Sequence, residues 1–249
     1  MKCFFLSADR QLRSWTLIQE SFGKYAPPHW SVELFMPASG QDVARAWHSL
    51  LAGAGQESNP FMLVSEGLRL GPQSVETIEN SIQHLEKSGG FDLLLPDIRL
   101  MQAGAMADLF VLRRQLVTQG RTRLIDPRTL GFENPGACIV HPRAVARLAR
   151  PAKVHTVAEL IDGALCQPVR DGGMSGRFIF PFATMVSHGE DGQVPADSQA
   201  RAAMIGDIYR RMVWRDGGCE PELAPLAQMS KGLSTESKAF AILWAAMAD

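Results

Sequence analysis

Two acidic side chains, Glu66 and Asp97, follow short apolar runs at points where a buried strand would give way to a polar loop. Carboxylate oxygens are ligands that Mg²⁺ and Mn²⁺ prefer in proteins. Glu66 alone predicts weak affinity for such a cation, and Asp97 supplies a second ligand if the two strand ends adjoin. The alternative for Asp97 is a cap on the turn after Pro96.

Arginines in or near the same polar loops provide a second way to bind a phosphate. A guanidinium stabilises phosphate charge, so Arg10, Arg13 and Arg69 are candidates to act in place of a metal. Asp9 and Arg10 can equally form a surface ion pair. Five further arginines predict either a solvated helix face with its loop or a surface for phosphate or acidic glycan: Arg113, Arg114, Arg121, Arg123 and Arg128.

Several other chemistries are excluded by spacing. The sequence contains no GxxxxGK[ST] phosphate loop and no GxGxxG after its first predicted strand. Ser175 lies in Gly-Met-Ser-Gly, which is not the GxSxG of a hydrolase. The six histidines show no spacing typical of a metal site.

Composition and charge narrow the class of protein. The chain has 249 residues, of which 46% are hydrophobic and 20% charged, a balance that allows a substantial core rather than disorder. A formal net charge of -1 gives no field strong enough to attract nucleic acid or an anionic membrane. No apolar run reaches the ~18 residues that a membrane-spanning helix needs. The apolar run at the N-terminus is too short for a secretion signal. The four scattered cysteines predict buried thiols rather than disulfides. We therefore expect a cytoplasmic protein with no nucleic-acid partner, no transmembrane segment and at most peripheral membrane contact.

Apolar runs and helical patterns alternate along the chain, which predicts an α/β fold with a mainly parallel central sheet and helices on both faces. The predicted strands cover residues 2–6, 31–35, 61–64, 91–95, 137–140 and 178–182. The predicted helices cover residues 10–23, 41–52, 74–87, 142–150, 156–166 and 234–247. Ligands of such sheets bind beyond the carboxyl ends of the strands. That rule selects Ser7 to Arg13, Ser65 to Arg69, and Pro96 to Arg99.

The order of these segments is similar to that of a known family. The segments that carry the similarity are Leu6-Ser7-Ala8-Asp9-Arg10, Trp47, Phe61 to Gly67, Phe91 to Leu95, Gly136 to Ala144, Glu159 to Asp162 and Phe180 to Phe182. Together they resemble the lipopolysaccharide and collagen-type glycosyltransferases of family 25, which have a GT-A fold. The matching family elements include an Asn-Leu-Asp-Arg loop, a strand that ends in Leu-Glu-Asp-Asp and a Pro-Val-Asp-like element.

Three departures from the family pattern stand beside this resemblance. The Gly-Cys-x-x-Ser-His element before the Trp helix is absent, and the arginine that closes the first loop is displaced to Arg13. The family's Glu-Asp-Asp is replaced by Ser65-Glu66-Gly67. The loss of the acidic pair leaves two alternatives, an active enzyme and a catalytically silent relative that binds a nucleotide sugar or acts as a scaffold.

The resemblance implies a GT-A-like domain over residues 1–195 and a C-terminal helical extension, residues 196–249, packed on the same domain. It implies transfer of a sugar from a nucleotide sugar, most simply a UDP-sugar, to a cell-envelope glycan acceptor such as lipopolysaccharide. Asp162 is the implied catalytic residue, because a carboxylate or a histidine can take the proton of the acceptor hydroxyl, and His188, in a polar loop that could close over the substrate, is a second candidate. The alternative for Asp162 is a solvated helix position. The implied donor-binding residues are Ser7, Asp9, Arg10, Arg13, Ser65, Glu66 and Arg69, and the implied Mn²⁺ or Mg²⁺ ligands are Glu66 and Asp97.

Overall fold

The computed structural model describes residues 1–7, 13–35, 43–54, 58–65, 67–133, 135–148, 154, 156–186, 206–207 and 209–217. Side chains are described for the same residues except Arg13, Ser14, Ala103 and Ala158. The predicted helix 234–247 lies outside these ranges, as does the loop from 187 to 197 that contains His188.

The described elements are short strands and helices in alternation. The strands are β1 (Lys2–Leu6), β2 (Ser31–Phe35), β3 (Phe61–Val64), β4 (Leu68–Leu70), β5 (Leu93–Leu95), β6 (Arg99–Leu100), β7 (Arg123–Ile125), β8 (Phe132–Glu133), β9 (Ala137–Val140), β10 (Gly176–Phe180) and β11 (Thr184–Val186). The helices are α1 (Arg13–Tyr25), α2 (Val43–Ala54), α3 (Ser74–Lys87), α4 (Ala103–Thr118), α5 (Val157–Ile161) and α6 (Gln167–Arg170). Two 3-10 helices, Pro127–Thr129 and Pro142–Arg147, and a π-helical segment, Asp162–Cys166, complete the set.

Seven strands form one central sheet in the order β2-β1-β3-β9-β5-β10-β7. Strands β9 and β7 run antiparallel to their neighbours, and the other five strands all run in the same direction. We call the edge at which those five strands end the carboxyl edge, and the opposite one the amino edge. The sheet is therefore mainly parallel, as predicted, and the architecture is compatible with a GT-A-like α/β fold.

Helices cover both faces of the sheet because side chains alternate along each central strand. Phe5 and Met62 pack in one core with residues of α1 and α3. Leu6 and Leu63 pack in the other core with residues of α2 and α4, including Trp47, which is 1% exposed. The predicted placement of helices on both faces is confirmed.

Helix α3 illustrates why the helices form where they do. Ile78 and Leu85, two turns apart, are buried on the side that faces the sheet. The helix stops at a turn in which Gly89 and Gly90 have φ values of 106° and 80°, conformations that favour glycine. The amide of Gly90 donates to the Leu85 carbonyl at 2.7 Å and so satisfies the end of the helix.

Two small sheets lie beyond the carboxyl edge. Strand β11 pairs with β4, and β6 pairs with β8, both antiparallel. A later segment, residues 206–207 and 209–217, packs against the same domain. Its Tyr209, Met212 and Val213 are buried in the core that contains α2 and α4.

Some boundaries differ from the predicted ones. Strands 2–6, 31–35, 61–64 and 137–140 and helix 74–87 have the predicted limits. The predicted helix 142–150 is instead the 3-10 helix Pro142–Arg147, and the predicted helix 156–166 continues through a π-helical segment into α6. Helix α4 and the short strands β4, β6, β7, β8 and β11 were not predicted.

The described residues bear on two further sequence predictions, one about membrane-spanning helices and one about buried cysteines. None of the helices in the described ranges is long and apolar enough to cross a membrane. Cys3, Cys138 and Cys166 are buried thiols that form no disulfide, and burial raises the pKa of Cys3 to about 12. The prediction of buried thiols is confirmed for these three, and Cys219 lies outside the described residues.

Candidate functional site

The tips of β1 and β3 lie side by side at the carboxyl edge. The two strands are parallel neighbours, and Phe5 pairs in register with Val64. Ser7 and Ser65, the polar residues that follow these strands, therefore leave the sheet at the same edge and at nearly the same level. Ser7 is buried and Ser65 is half-buried. The structure thus brings together two of the predicted donor-binding residues.

Hydrogen bonds to the neighbouring strand hold Ser65 in place. Its backbone amide and its hydroxyl both donate to the carbonyl of Gly136, at 2.8 and 2.9 Å. The chain then turns through Gly67, whose φ of 78° favours glycine. The Ser65 hydroxyl is therefore an anchor for the loop that leads into β4.

Strand β9 lies between β3 and β5, so the ends of β3 and β5 do not adjoin directly. Because β9 is antiparallel, it begins at the carboxyl edge, and Gly136 stands immediately before it. The Gly136 amide donates to Asp97 Oδ1 at 2.7 Å. Gly136 therefore connects Ser65 on one side with Asp97 on the other.

Asp97 is completely buried among protein groups. Besides the Gly136 amide, its carboxylate accepts a hydrogen bond from the Thr184 hydroxyl and lies 3.5 Å from Arg210 Nε. Burial raises the pKa of Asp97, and Arg210, Thr184 and Gly136 oppose that shift. These partners are distant in sequence, so Asp97 does not cap the local turn after Pro96. A cation bound by Asp97 would have to displace them.

This carboxylate belongs to a buried group of four charges. Arg99 makes a two-pronged pair with Asp207, with distances of 3.0 and 2.8 Å, and Arg210 lies 3.8 Å from the same Asp207. All four side chains, including Asp97, are at most 10% exposed. Two carboxylates and two guanidiniums balance one another, which is the arrangement that buried charges require. The group fastens residues 206–217 to the carboxyl edge.

Arg69 lies on the small sheet beyond the carboxyl edge. It sits opposite Met185 in the pairing of β4 with β11. Its neighbours Leu68 and Leu70 are buried, so Arg69 projects from the other face of the strand, where it is half-buried. This side chain is a described cation close to the loop that begins at Ser65.

Asp162 opens the π-helical segment between α5 and α6. Arg170 Nη1 and Nη2 donate to its two carboxylate oxygens at 2.9 and 2.8 Å, and Arg170 Nη1 also donates to the Phe132 carbonyl of β8 at 3.0 Å. The hydrogen bonds to Asp162 raise the pKa of Arg170. Asp162 remains 45% exposed, so it is neither a fully solvated helix position nor sealed from a ligand. Short π segments are frequent at functional sites.

Several predicted residues lie outside the description. Asp9, Arg10, Glu66 and His188 are outside the described residues, and only the backbone of Arg13 is described. Within the described ranges, no group of three or more His, Cys, Asp or Glu could hold a metal ion.

The residues that organise this edge were not singled out from the sequence. Thr184, Arg170 and Arg210 carry no motif, and Gly136 was noted only as the first residue of the segment Gly136 to Ala144. Arg170 lies eight residues after Asp162, a separation at which side chains of a regular α-helix do not normally meet. The two residues contact each other here because a π-helical segment lies between them. Arg210 belongs to a late segment with no pattern that links it to Asp97.

A cavity of about 620 Å³ lies at the amino edge, away from these residues. Trp30, Phe61 and Glu79 line it together with the starts of β1 and β2. Burial raises the pKa of Glu79, but hydrogen bonds from His29 and Trp30 outweigh burial and lower that pKa below its usual value. Because this cavity lies at the amino edge, it is separate from the strand tips at the carboxyl edge that the sequence predicts as the ligand site.

The candidate site thus lies at the carboxyl edge, where Ser7 and Ser65 follow neighbouring strands and Arg69 follows in β4. Asp162 is linked through Arg170 to β8 in the small sheet beyond that edge. The Arg69 cation is suited to an anionic ligand such as a phosphate, whereas the amide and hydroxyl of Ser65 already donate to the Gly136 carbonyl. No family model matches this chain, and no curated protein matches it.

Proposed function

We propose that the chain is a glycosyltransferase that binds a nucleotide sugar, in the simplest case a UDP-sugar, at the carboxyl edge. The observation that supports the proposal best is the parallel pairing of β1 with β3, which places Ser7 and Ser65 at one edge. Open α/β sheets bind ligands beyond the carboxyl ends of their strands. The resemblance to family 25 adds the identity of the ligand.

In this proposal the donor diphosphate is bound mainly by cations of the protein. Arg69 lies beside the Ser65 loop, and the sequence adds the cations Arg10 and Arg13 after β1, with Asp9 as a further donor-binding candidate. Asp97 is engaged by Gly136, Thr184 and Arg210, so we assign any Mn²⁺ or Mg²⁺ to Glu66 alone, with weak affinity. Arginine in place of a metal stabilises the charge that develops on the leaving diphosphate.

We assign proton transfer to Asp162, with His188 as the second candidate. A carboxylate that is half-exposed can accept the proton of an acceptor hydroxyl, and Arg170 fixes the direction of the Asp162 side chain. The acceptor in this proposal is a cell-envelope glycan such as lipopolysaccharide. The residues act in sequence: Arg69 orients the donor, and Asp162 then activates the acceptor.

A second candidate is a silent relative that binds the nucleotide sugar without transferring it. The observation that favours it is the engagement of Asp97, because the carboxylate predicted to complete a metal site is already bound to protein donors. In that case the protein binds a nucleotide-sugar donor at the carboxyl edge but does not catalyse transfer of the sugar.

Thermal unfolding with and without UDP-sugars and Mn²⁺ tests both candidates. A ligand at ~100 times its dissociation constant adds ~2.7 kcal/mol to the free energy of unfolding, so we expect a clear rise in Tm with at least one nucleotide sugar. No rise with any nucleotide sugar contradicts both candidates. Binding without hydrolysis or transfer favours the silent relative.

Substitutions then assign the roles. Arg69→Gln removes a charge-assisted hydrogen bond of ~1.5–3 kcal/mol and should weaken donor binding roughly tenfold or more. The control is Lys87→Gln, which changes an exposed residue at the end of α3 and should leave donor binding unchanged.

Asp162→Asn should lower kcat and leave donor affinity intact. Glu66→Ala should remove any dependence on Mn²⁺, and unchanged dependence would show that the cation is held elsewhere.

A further inference from the structure

The C-terminal half of α4 and the start of β7 form an exposed surface on which cations and apolar side chains occur together. Val111 is 59% exposed and Val117 is 43% exposed, although large hydrophobic residues usually pack inside. Arg114, Arg121 and Arg123 are exposed as well. We call these five residues the α4–β7 surface.

Local geometry keeps these five side chains together. Val111, Arg114 and Val117 follow one another at intervals of three residues and so lie along one side of α4. The amide of Arg121 donates to the Leu116 carbonyl at 2.9 Å, which holds Arg121 against the end of the helix. Arg123 begins β7, the outermost strand of the sheet at this end. The surface is therefore continuous from the helix to the edge strand.

The three arginines of the α4–β7 surface have no carboxylate partner in the part of the chain that the structure describes. Two other arginines of the same sequence cluster are used within the protein. Arg113 donates to the carbonyls of Trp214 and Gly217, and Arg128 pairs with Asp126. The cluster in the sequence thus separates into two arginines that bind other parts of the protein and three exposed ones, of which Arg114 lies over the Phe110 ring at 5.4 Å from its centroid.

We propose that the α4–β7 surface docks on a membrane surface that contains anionic lipid. Each arginine near such a surface raises partition about fivefold, so three together contribute on the order of a hundredfold. The exposed valines favour a bilayer over a soluble polyanion, because only a bilayer offers an apolar layer beneath its charged headgroups. The net charge of -1 does not oppose docking, since charges beyond about 10 Å are largely screened in ~0.1 M salt.

The same surface lies toward the carboxyl edge. Arg123 pairs in register with Phe180, the last residue of β10. A membrane bound there would approach the edge that carries Ser7 and Ser65. Docking itself does not depend on the proposed glycosyl transfer, because it uses none of the donor-binding residues.

Sedimentation with lipid vesicles tests this proposal on the full chain. We expect binding to vesicles of phosphatidylcholine with phosphatidylglycerol, weaker binding at high salt, and little binding to phosphatidylcholine alone. The variant Arg114→Gln with Arg121→Gln and Arg123→Gln should lose on the order of a hundredfold in partition. The double variant Val111→Ser with Val117→Ser should partition onto the vesicles severalfold less, while the salt dependence of its binding stays the same.

A matched control removes three charges from the amino edge instead. The variant with Lys2→Gln, Lys24→Gln and Lys87→Gln changes exposed residues and should bind the vesicles within twofold of the natural chain. Equal losses in the two charge variants, or no vesicle binding by the natural chain, would overturn the proposal. Binding to a soluble acidic polysaccharide through the same arginines, with no vesicle binding, would overturn it in favour of an acidic glycan. Circular dichroism of every variant verifies that the fold is kept.

Discussion

At the scale of single residues, burial decides what the carboxylate of Asp97 can do. Removing a carboxylate from water costs several kcal/mol unless hydrogen bonds and an opposite charge replace the solvent. Thr184, Gly136 and Arg210 provide that replacement. A side chain held in this way contributes to the shape of the carboxyl edge rather than to the direct binding of a ligand.

Gly136→Ala tests how closely that edge is packed. A Cβ at this position would lie 2.8 Å from Asp97 Oδ2 and would collide with the Val186 side chain. We expect a loss of about 1–3 kcal/mol in the free energy of unfolding, as for other overpacked sites, measured by urea denaturation. Gly53→Ala in α2 is the control, because a Cβ there meets no atom within 4 Å. A loss no larger than that of the control would contradict the described packing.

At the scale of elements, Asp92 holds together three chain segments at the amino edge. It precedes β5, contacts Arg143 and Arg147 of the 3-10 helix after β9, and accepts from the amide and hydroxyl of Ser175 before β10. Burial raises the pKa of Asp92, but the hydrogen bonds of Ser175 and the charge of Arg147 outweigh burial and lower that pKa. The ionised carboxylate therefore stabilises the way these elements meet.

Asp92→Asn should make that stabilisation visible as a dependence on pH. A lowered folded-state pKa means that the contribution is present above the unfolded pKa of about 3.9 and is lost as pH falls through the folded value. We expect the variant to be less stable by about 1–3 kcal/mol at pH 7, with the difference shrinking below about pH 4. Urea denaturation of both chains from pH 7 downward measures it. Asp108→Asn, an exposed change on α4, should show no such trend, and a constant difference for Asp92→Asn would argue against the ionised pair.

The same elements show what sequence could and could not predict. Strand Phe61–Val64 and helix Ser74–Lys87 were predicted with their observed limits, because a continuous apolar run and a helical spacing are strong local signals. Strands of two or three residues such as Arg99–Leu100 are too short to show any period, and they form only because a partner strand is present. The adjacency of Ser7 and Ser65 followed from the parallel sheet, whereas the partners of Asp97 depend on long-range packing.

At the scale of the whole molecule, the fold is completed by a segment far from its start. Tyr209, Met212 and Val213 fill the core beside α2 and α4, and the Tyr209 hydroxyl donates to the Met106 carbonyl at 2.6 Å. Asp207 and Arg210 belong to the same segment and balance Arg99 and Asp97. Residues 1–195 alone would therefore lack part of both the core and the buried charge group.

A chain that ends at residue 195 should consequently fail to fold stably. The three large core side chains contribute about 2–5 kcal/mol each, and loss of a partner from a buried ion pair costs about 3–5 kcal/mol. Their sum is comparable to the whole free energy of unfolding of a typical domain, ~5–15 kcal/mol. A chain that ends at residue 217 keeps every contact described above and is the reference. Circular dichroism and urea denaturation compare the two. A cooperative transition of the shorter chain at the midpoint of the reference would show that residues 206–217 are dispensable.

The reversed direction of β9 has a consequence for how the carboxyl edge can change. Strands β3 and β5 end there, whereas β9 starts there, so one residue, Gly136, accepts a hydrogen bond from Ser65 with its carbonyl oxygen and donates its amide hydrogen to Asp97. Movement of Gly136 toward one neighbour stretches its hydrogen bond to the other. The tips of β3 and β5 are consequently coupled through this residue, and a substitution that repositions either tip will be felt at both.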